Sequence, residues 1–293
     1  FIIMTGFQLI YVNSNELDKQ RDYITNNIKA TKQAYNINIE EIDVNSTGTI
    51  TTEQAEQNKE VLKNITIANS DITLSTLSAL QTSTGYYSFS KTIPTKYTIS
   101  NEKNLVYVSA REILSKDRTY SNKTYEYTHG YGTIVSSATS TDENGNINFI
   151  QKEFDGSDME IKVRQPRIYF GLQTNDVIVT NSSNKKEFDY PKNATESVEN
   201  SYEGNAGLKL NFFDRLALAI KEKDIKLAFS TNITDESKIL INRNIINRAK
   251  KIMPYLIYDE EPYLVITDSG ELVWVLDAYT ISNQYPYSQQ TTI

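Results

Sequence analysis

Apolar residues recur along this chain at two spacings, and each change of spacing marks an element. Leu17, Ile24, Ile28, Thr31 and Tyr35 fall on one face at helical intervals. Asn15 precedes them as a capping residue. Glu16 and Asp18 follow in the first turn, where the helix dipole favours acids. The pattern predicts a helix from Asn15 to about Tyr35. Thr51 or Thr52 caps a second helix reaching about Lys63, and residues 71–80 form a short third. Leu210, Phe213, Leu216, Leu218 and Ile220 crowd one side of a helix over 208–223. Thr234, Asp235 and Glu236 open another, whose stripe is Ile241, Ile245, Ala249 and Ile252. It carries Lys250 and Lys251 near its end and stops before Pro254.

Elsewhere the spacing is two. Leu105, Tyr107 and Ser109 share one face of a strand over 104–111. Residues 125–138 read as one strand and 147–154 as its partner, with an Asn144-Gly145 hairpin signal between them. Two more strands fall at 167–171 and 176–180. A hairpin over 263–267 and 272–279 turns at Asp268-Ser269-Gly270. Residues 181–203 are polar with few aliphatics and read as a long loop. Helices and strands mix without β-α-β alternation. The expected fold class is therefore α+β, with mixed, largely antiparallel sheets and packed helices. Residues 1–293 are expected to form one soluble piece of a larger protein, and 181–203 is where it would divide into two lobes.

Composition narrows the chemistry. The net charge is −7 and no run of Lys and Arg is long, so no nucleic-acid partner is expected. Arg243, Arg248, Lys250 and Lys251 are explained by the end of a helix, where cations complement the dipole. The absence of Cys excludes disulfides, thiolate metal sites and Cys nucleophiles, and a single His excludes a multi-His metal site. No metal site and no cofactor are expected. The most apolar stretch, residues 1–12, is interrupted by Thr5, Gly6 and Gln8. It falls short of the roughly 20 apolar residues that a membrane span needs. The 20 Tyr suit half-buried strands and also wet interfaces.

The one His, His129, lies in Tyr125-Glu126-Tyr127-Thr128-His129-Gly130-Tyr131-Gly132. On a strand, Tyr125, Tyr127, His129 and Tyr131 share a face. Gly130 and Gly132 on the other admit a close neighbour or a ligand. A His among tyrosines can act as general base or orient a ligand hydroxyl. The competing reading, a hydrogen-bonded structural His, carries more weight because no carboxylate partner follows from spacing. Arg111 closes the neighbouring strand and completes the candidate set, as a group able to balance an anion. Asp142-x-Asn144-x-Asn146 lacks the later Gly and Glu of a calcium loop and reads as a turn. Glu40-Glu41 and Asp259-Glu260-Glu261 are sequence neighbours that point apart, so neither is a glycosidase pair. Residues 277–289 are rich in aromatics and amides, suited to glycans or a partner strand and equally to the exit of a core strand. No nucleophile elbow, phosphate loop or dinucleotide fingerprint occurs.

Several segments taken in order carry a resemblance. They are Asn15-Glu16-Leu17 with its helix, Tyr127 to Gly132, Arg167-Ile168-Tyr169-Phe170-Gly171, and Glu187-Phe188-Asp189-Tyr190-Pro191 followed by Tyr202-Glu203-Gly204. Arg243-Asn244-Ile245 leading to Pro254, Asp277-Ala278-Tyr279 and Tyr287-Ser288-Gln289 complete the set. From about residue 10 to 290 the chain resembles the bacterial uncharacterised protein family 0182 of the UPF series, although 139–166 departs from that pattern. The resemblance implies a large multi-pass membrane protein, of which this chain is the extracytoplasmic region at the cell membrane. It also implies that the family's sequence continues past Gln289. It supplies no catalytic residue and no cofactor. The implied partners are the upstream transmembrane helices and an envelope protein, glycan or lipid. The favoured expectation is a non-enzymatic binding module. The alternative is an envelope hydrolase with His129 as base, aided by Tyr127, Tyr131 or Arg111.

Overall fold

The computed structural model describes residues 2–37, 48–82, 85–90, 92–193 and 195–282. Glu40 and Glu41, and residues 283–289 of the C-terminal aromatic stretch, lie outside them. The chain falls into two compact units, Phe1–Gln57 and Asn58–Ile293.

The first unit is helical. A helix runs over Glu16–Ala34, matching the predicted stripe, although the Asn15 side chain makes no capping bond. Leu17 and Ile28 stay exposed on it. Thr51 and Gln54 form a reciprocal capping box, each backbone N–H donating to the other's side chain at 3.1 and 3.2 Å. The helix that follows covers only Thr52–Gln57.

The second unit opens with Lys59–Leu62 as a separate turn of helix, so the predicted 51–63 helix is broken at Asn58. Its framework is a four-stranded antiparallel sheet in the order Pro94–Ile99, Glu102–Ala110, Thr133–Thr141, Ile147–Gln151. Alternation along Glu102–Ala110 sends Val106, Val108 and Ala110 to one face, where they join Val135, Ile168, Leu264 and Ile266 in a core. The Ser70–Thr82 helix sets Leu77 against Ile134 and Phe89 in a separate cluster. Asn69 caps this helix through the N–H groups of Asp71 and Ile72. The Asn-Gly hairpin is present as expected. The Asp142 carboxylate accepts from the Asn144 and Asn146 N–H groups, and Gly145 supplies a φ of +79°. The hairpin expected over 263–267 and 272–279 forms between Tyr263–Ile266 and Leu272–Val275, while Ala278–Tyr279 pairs instead with Ile257–Tyr258.

A second core gathers Tyr125, Val179, Leu218, Ala219, Leu227, Ala228 and Ile239. It lies between the Ile178–Thr180/Lys238–Leu240 strand pair and the helices Phe212–Lys221 and Lys226–Phe229. The fold class is α+β, with antiparallel pairing throughout the sheets. Among the described residues, no helix is long and apolar enough to cross a membrane.

Three further local expectations fail. Residues 125–138 are not one strand. Asn122–Glu126 is a wide helical turn, Gly130–Tyr131 is a short strand paired with Arg167–Ile168, and the long strand starts only at Thr133. The break falls at Gly132, whose φ of +68° cannot belong to an extended strand. Residues 181–203 are not a loop throughout, because Glu187–Pro191 and Ser197–Asn200 pair as a bulged hairpin. That hairpin buries Glu187 and Asp189 through charge pairing, which a search for aliphatics does not detect. Residues 235–253 are not one helix. Ile239 and Leu240 are recruited into a strand beside Ile178–Thr180, and the helix covers only Ile245–Ile252. Its cap is Asn244, which accepts from the Asn247 N–H at 3.0 Å. Arg243, read as part of a basic helix end, is buried just before that cap.

Candidate functional site

The local chain path decides where each candidate side chain goes. With 125–132 bent rather than extended, the predicted tyrosine-histidine face does not exist. Tyr125 turns into the second core and donates its hydroxyl to Ser230 Oγ at 2.7 Å. Tyr127 packs against Tyr86 and Phe188, with the Arg118 guanidinium 3.6 Å from its ring centre. His129 turns inward and is fully buried, so the concave, exposed face expected around it is absent. Tyr131 points to Phe154 and Tyr190. Of the five candidates, the structure brings Arg111 and Tyr131 to a common cleft and separates the other three from it.

His129 sits in a closed knot of charge. Its Nε2 lies 2.8 Å from Asp189 Oδ1, and its Nδ1 lies 2.9 Å from Thr128 Oγ1. The Thr128 hydroxyl donates its only proton to Glu187 Oε2 at 2.7 Å, so toward Nδ1 it can only accept. The Asp189 carboxylate likewise only accepts. Both ring nitrogens are therefore engaged within the knot, one by Thr128 and one by Asp189. Tyr169 covers the ring at 4.5 Å and donates its hydroxyl to Glu187 at 2.7 Å. Arg167 closes the other side of Asp189 with a fork, Nε at 2.8 Å and Nη2 at 2.7 Å. Burial alone would raise the Asp189 pKa, but His129 and Arg167 outweigh it and hold the carboxyl below its ordinary value. Beneath the knot, Arg243 donates to the carbonyls of Tyr169, Asp176 and Thr128. Burial pushes its guanidinium down to about 10.

Glu187, Asp189, Arg167 and Tyr169 were missed as site residues. The available signal was the pair of motifs Arg167-Ile-Tyr-Phe-Gly and Glu187-Phe-Asp-Tyr-Pro, which combine charge with aromatics in two short strands.

The second feature is a cleft of about 130 Å3 reached by Gly132, lined by residues including Arg111, Tyr131, Thr133, Glu153, Phe154 and Asp155. Arg111 is 2% exposed. Its Nη1 donates to the Thr133 carbonyl and its Nη2 to the Lys152 carbonyl, and Phe154 lies 4.3 Å from the guanidinium carbon. Burial pushes this guanidinium down to about 10. Two polar atoms of the cleft residues, Arg111 Nε and Thr133 Oγ1, are buried and have no hydrogen-bond partner among the described residues. Gly130 is required at the turn between the two features, because a Cβ there would meet the Arg111 carbonyl oxygen at 2.0 Å. Among the described residues, no group of three or more His, Cys, Asp or Glu side chains is placed to hold a metal ion.

These features define an α+β protein with one sealed ion-pair knot and one small polar cleft beside it. The chain matches the Uncharacterised protein family (UPF0182) over residues 1–293, and it belongs to that family. A UPF0182 protein of Caldicellulosiruptor saccharolyticus is 41% identical over 99% of this chain and 33% of its own length. One of Clostridium tetani is 39% identical over 96% of the chain and 32% of its length, and one of Clostridium novyi 37% over 98% and 32%. The chain thus spans about a third of the relatives it matches. No solved structure matches it.

Proposed function

We propose that this chain is a non-catalytic binding module of a larger membrane protein, lying on the extracytoplasmic side and serving an envelope ligand or protein partner. The observation that supports it is the contrast between the two buried clusters. The single His is sealed and has both ring nitrogens engaged. Arg111 and Thr133 line an open cleft, and their Nε and Oγ1 atoms are buried without a hydrogen-bond partner among the described residues. The membrane tether and the outward location are what the family resemblance implies, and the relatives' greater length is consistent with a tether outside this chain.

Protease added to intact, wall-stripped cells tests the location. Cleavage of this region at the rate of a known surface protein supports it, and protection under those conditions overturns it. A thermal-shift screen of envelope-type small molecules on the 293-residue chain tests binding, with Thr133→Val as control. A compound that raises the Tm only when Thr133 is intact supports the reading.

The second reading, an envelope hydrolase using His129, has one observation in its favour, the carboxylate 2.8 Å from the ring. A base must reach its substrate, and His129 is 0% exposed. Loss of a cellular phenotype in His129→Gln with an unchanged Tm would revive it.

A further inference from the structure

The helix Phe212–Lys221 has two apolar faces, and the second core uses only one of them. Leu218 and Ala219 are buried in that core. Arg215 lies on the same side of the helix and donates to the carbonyls of Leu227, Ala228 and Ser230. Phe213, Ala217 and Ile220 follow one another at i, i+4 and i+7, on the opposite side. That side faces outward. Phe213 is 78% exposed and Ile220 68%, and Ala217 is exposed between them. The apolar surface extends to the next helix, Lys226–Phe229. Phe212 meets Phe213 edge-on at 5.8 Å and Phe229 at 6.0 Å, and Phe229 is 65% exposed. A surface helix ordinarily turns polar residues outward. Three Phe and an Ile grouped on the outside mark a face that meets an apolar phase or partner.

The charge around this face differs from that of the chain. Over 208–230 the exposed charged residues are Lys209, Lys221, Lys223, Lys226 and Asp214, whereas the net charge of the whole chain is −7. Glu222 lies 3.5 Å from Lys221 and is half-buried, and Glu236 lies 3.7 Å from Lys209. Salt screens charges beyond about 8–10 Å, so an approaching surface meets this local excess of lysine rather than the net negative charge. A second copy docked through the same face would bring like charges together. A bilayer with anionic headgroups matches both parts. Phe and Ile enter the boundary between headgroups and acyl chains, and the lysines beside them meet lipid phosphates.

We propose that the two helices over Phe212–Phe229 form a docking surface for an anionic lipid bilayer, with Phe213, Ile220 and Phe229 at the interface and Lys221 and Lys223 on headgroup phosphates. This goes beyond the binding-module reading, because it concerns another surface and does not use the Arg111 cleft.

Flotation of the 293-residue chain with vesicles tests it, using phosphatidylcholine alone and phosphatidylcholine mixed with phosphatidylglycerol. Partition into the anionic vesicles is expected to be at least about tenfold stronger, and high salt is expected to remove that preference. Phe213→Ser combined with Ile220→Ser is expected to weaken partition at least about tenfold, because it removes the apolar anchors. Both side chains are exposed, so the Tm should show that the fold survives. Lys221→Gln combined with Lys223→Gln is expected to weaken partition into the anionic vesicles about five- to twentyfold and to leave phosphatidylcholine unaffected. Insertion is read separately. The chain has no Cys, so Ala217→Cys carries a single environment-sensitive fluorophore. Its emission should shift to the blue on anionic vesicles and be quenched by spin-labelled lipid. The same fluorophore on Lys186→Cys, at an exposed position on the bulged hairpin's approach, should stay in water.

No flotation with anionic vesicles overturns the proposal. Binding that survives Phe213→Ser with Ile220→Ser does so too, as does a fluorophore at 217 that stays in water on bound vesicles. A chain that dimerises in solution, separates with the same double variant and binds no vesicle makes the face an interface between copies, and the bilayer inference falls. A thermal shift abolished by Thr133→Val without vesicle binding leaves the binding-module reading standing while this inference falls. Vesicle binding through residues 213 and 220 without any such shift supports this inference and counts against the cleft.

Discussion

The His129 knot and the Arg111 cleft adjoin the same turn, and both hold a buried basic side chain beside a buried threonine, yet they are finished differently. In the knot every donor has an acceptor. His129 meets Asp189 and Thr128, Arg167 forks onto Asp189, and the Thr128 hydroxyl bridges His129 to Glu187. In the cleft no carboxylate is hydrogen-bonded to Arg111, whose charge is met through space by Asp158 and Glu153, and Arg111 Nε and the Thr133 hydroxyl have no hydrogen-bond partner among the described residues. The lesson is that burial of a charged residue does not by itself mark a site. A closed set of partners gives rigidity and stability, whereas an open set leaves binding capacity at some cost in stability.

The comparison can be broken most decisively at Asp189. Asp189→Ala strands His129 and Arg167 together and is expected to cost about 3–5 kcal/mol, read from the urea midpoint. A change under about 1 kcal/mol would mean that the knot contributes little to stability. Next comes Thr128→Val, which deletes the bridge and leaves His129 Nδ1 without a partner. An expected loss of about 1–3 kcal/mol follows from unpaired buried polar groups.

Acid sharpens the comparison further. The Asp189 pKa is lowered in the fold, so its carboxylate contributes stability that is fully present above its unfolded pKa, about 3.9. That contribution is lost as pH falls from there through the folded value. Stability measured from pH 6 down to pH 2 should show this acid limb in the wild type, and Asp189→Asn should flatten it. An identical acid limb in both proteins would remove Asp189 from the account.

The smallest effect is expected at Thr133→Val, which is nearly isosteric and deletes a hydroxyl with no partner. Its unliganded stability should stay within about 0.5 kcal/mol of wild type or rise. A loss equal to that of Thr128→Val would show that Thr133 is structurally engaged, and the distinction between the two regions would fail.

Much of the framework was legible before the fold. The helix at 16–34, the Asn-Gly turn, the strand through Val106 and Val108 and the final hairpin all rest on contacts within a few residues, which spacing encodes directly. The candidate site was legible only in part. His129, Arg111 and Tyr131 were singled out from their residue types, and two of them do share a cleft. The proposed common face was wrong because it required Gly132 to be extended, and the chain adopts a positive φ there. Asp189 was hidden because a polar stretch without aliphatics reads as a loop. Its strand is held in by ion pairs rather than by apolar burial.

The sequence by itself determined the α+β class, the family, the absence of any thiol chemistry and the limit of one imidazole. Each of these depends on composition, on order, or on periodicity over one or two turns. Only the tertiary structure decided that the one His is sealed by a carboxylate 60 positions away, and that Arg111 draws the Lys152 carbonyl from 41 positions away while its Nε stays unengaged. Hydrogen-bond satisfaction is a property of groups brought together by chain closure. No local pattern of polar and apolar residues records which donors will be left without an acceptor.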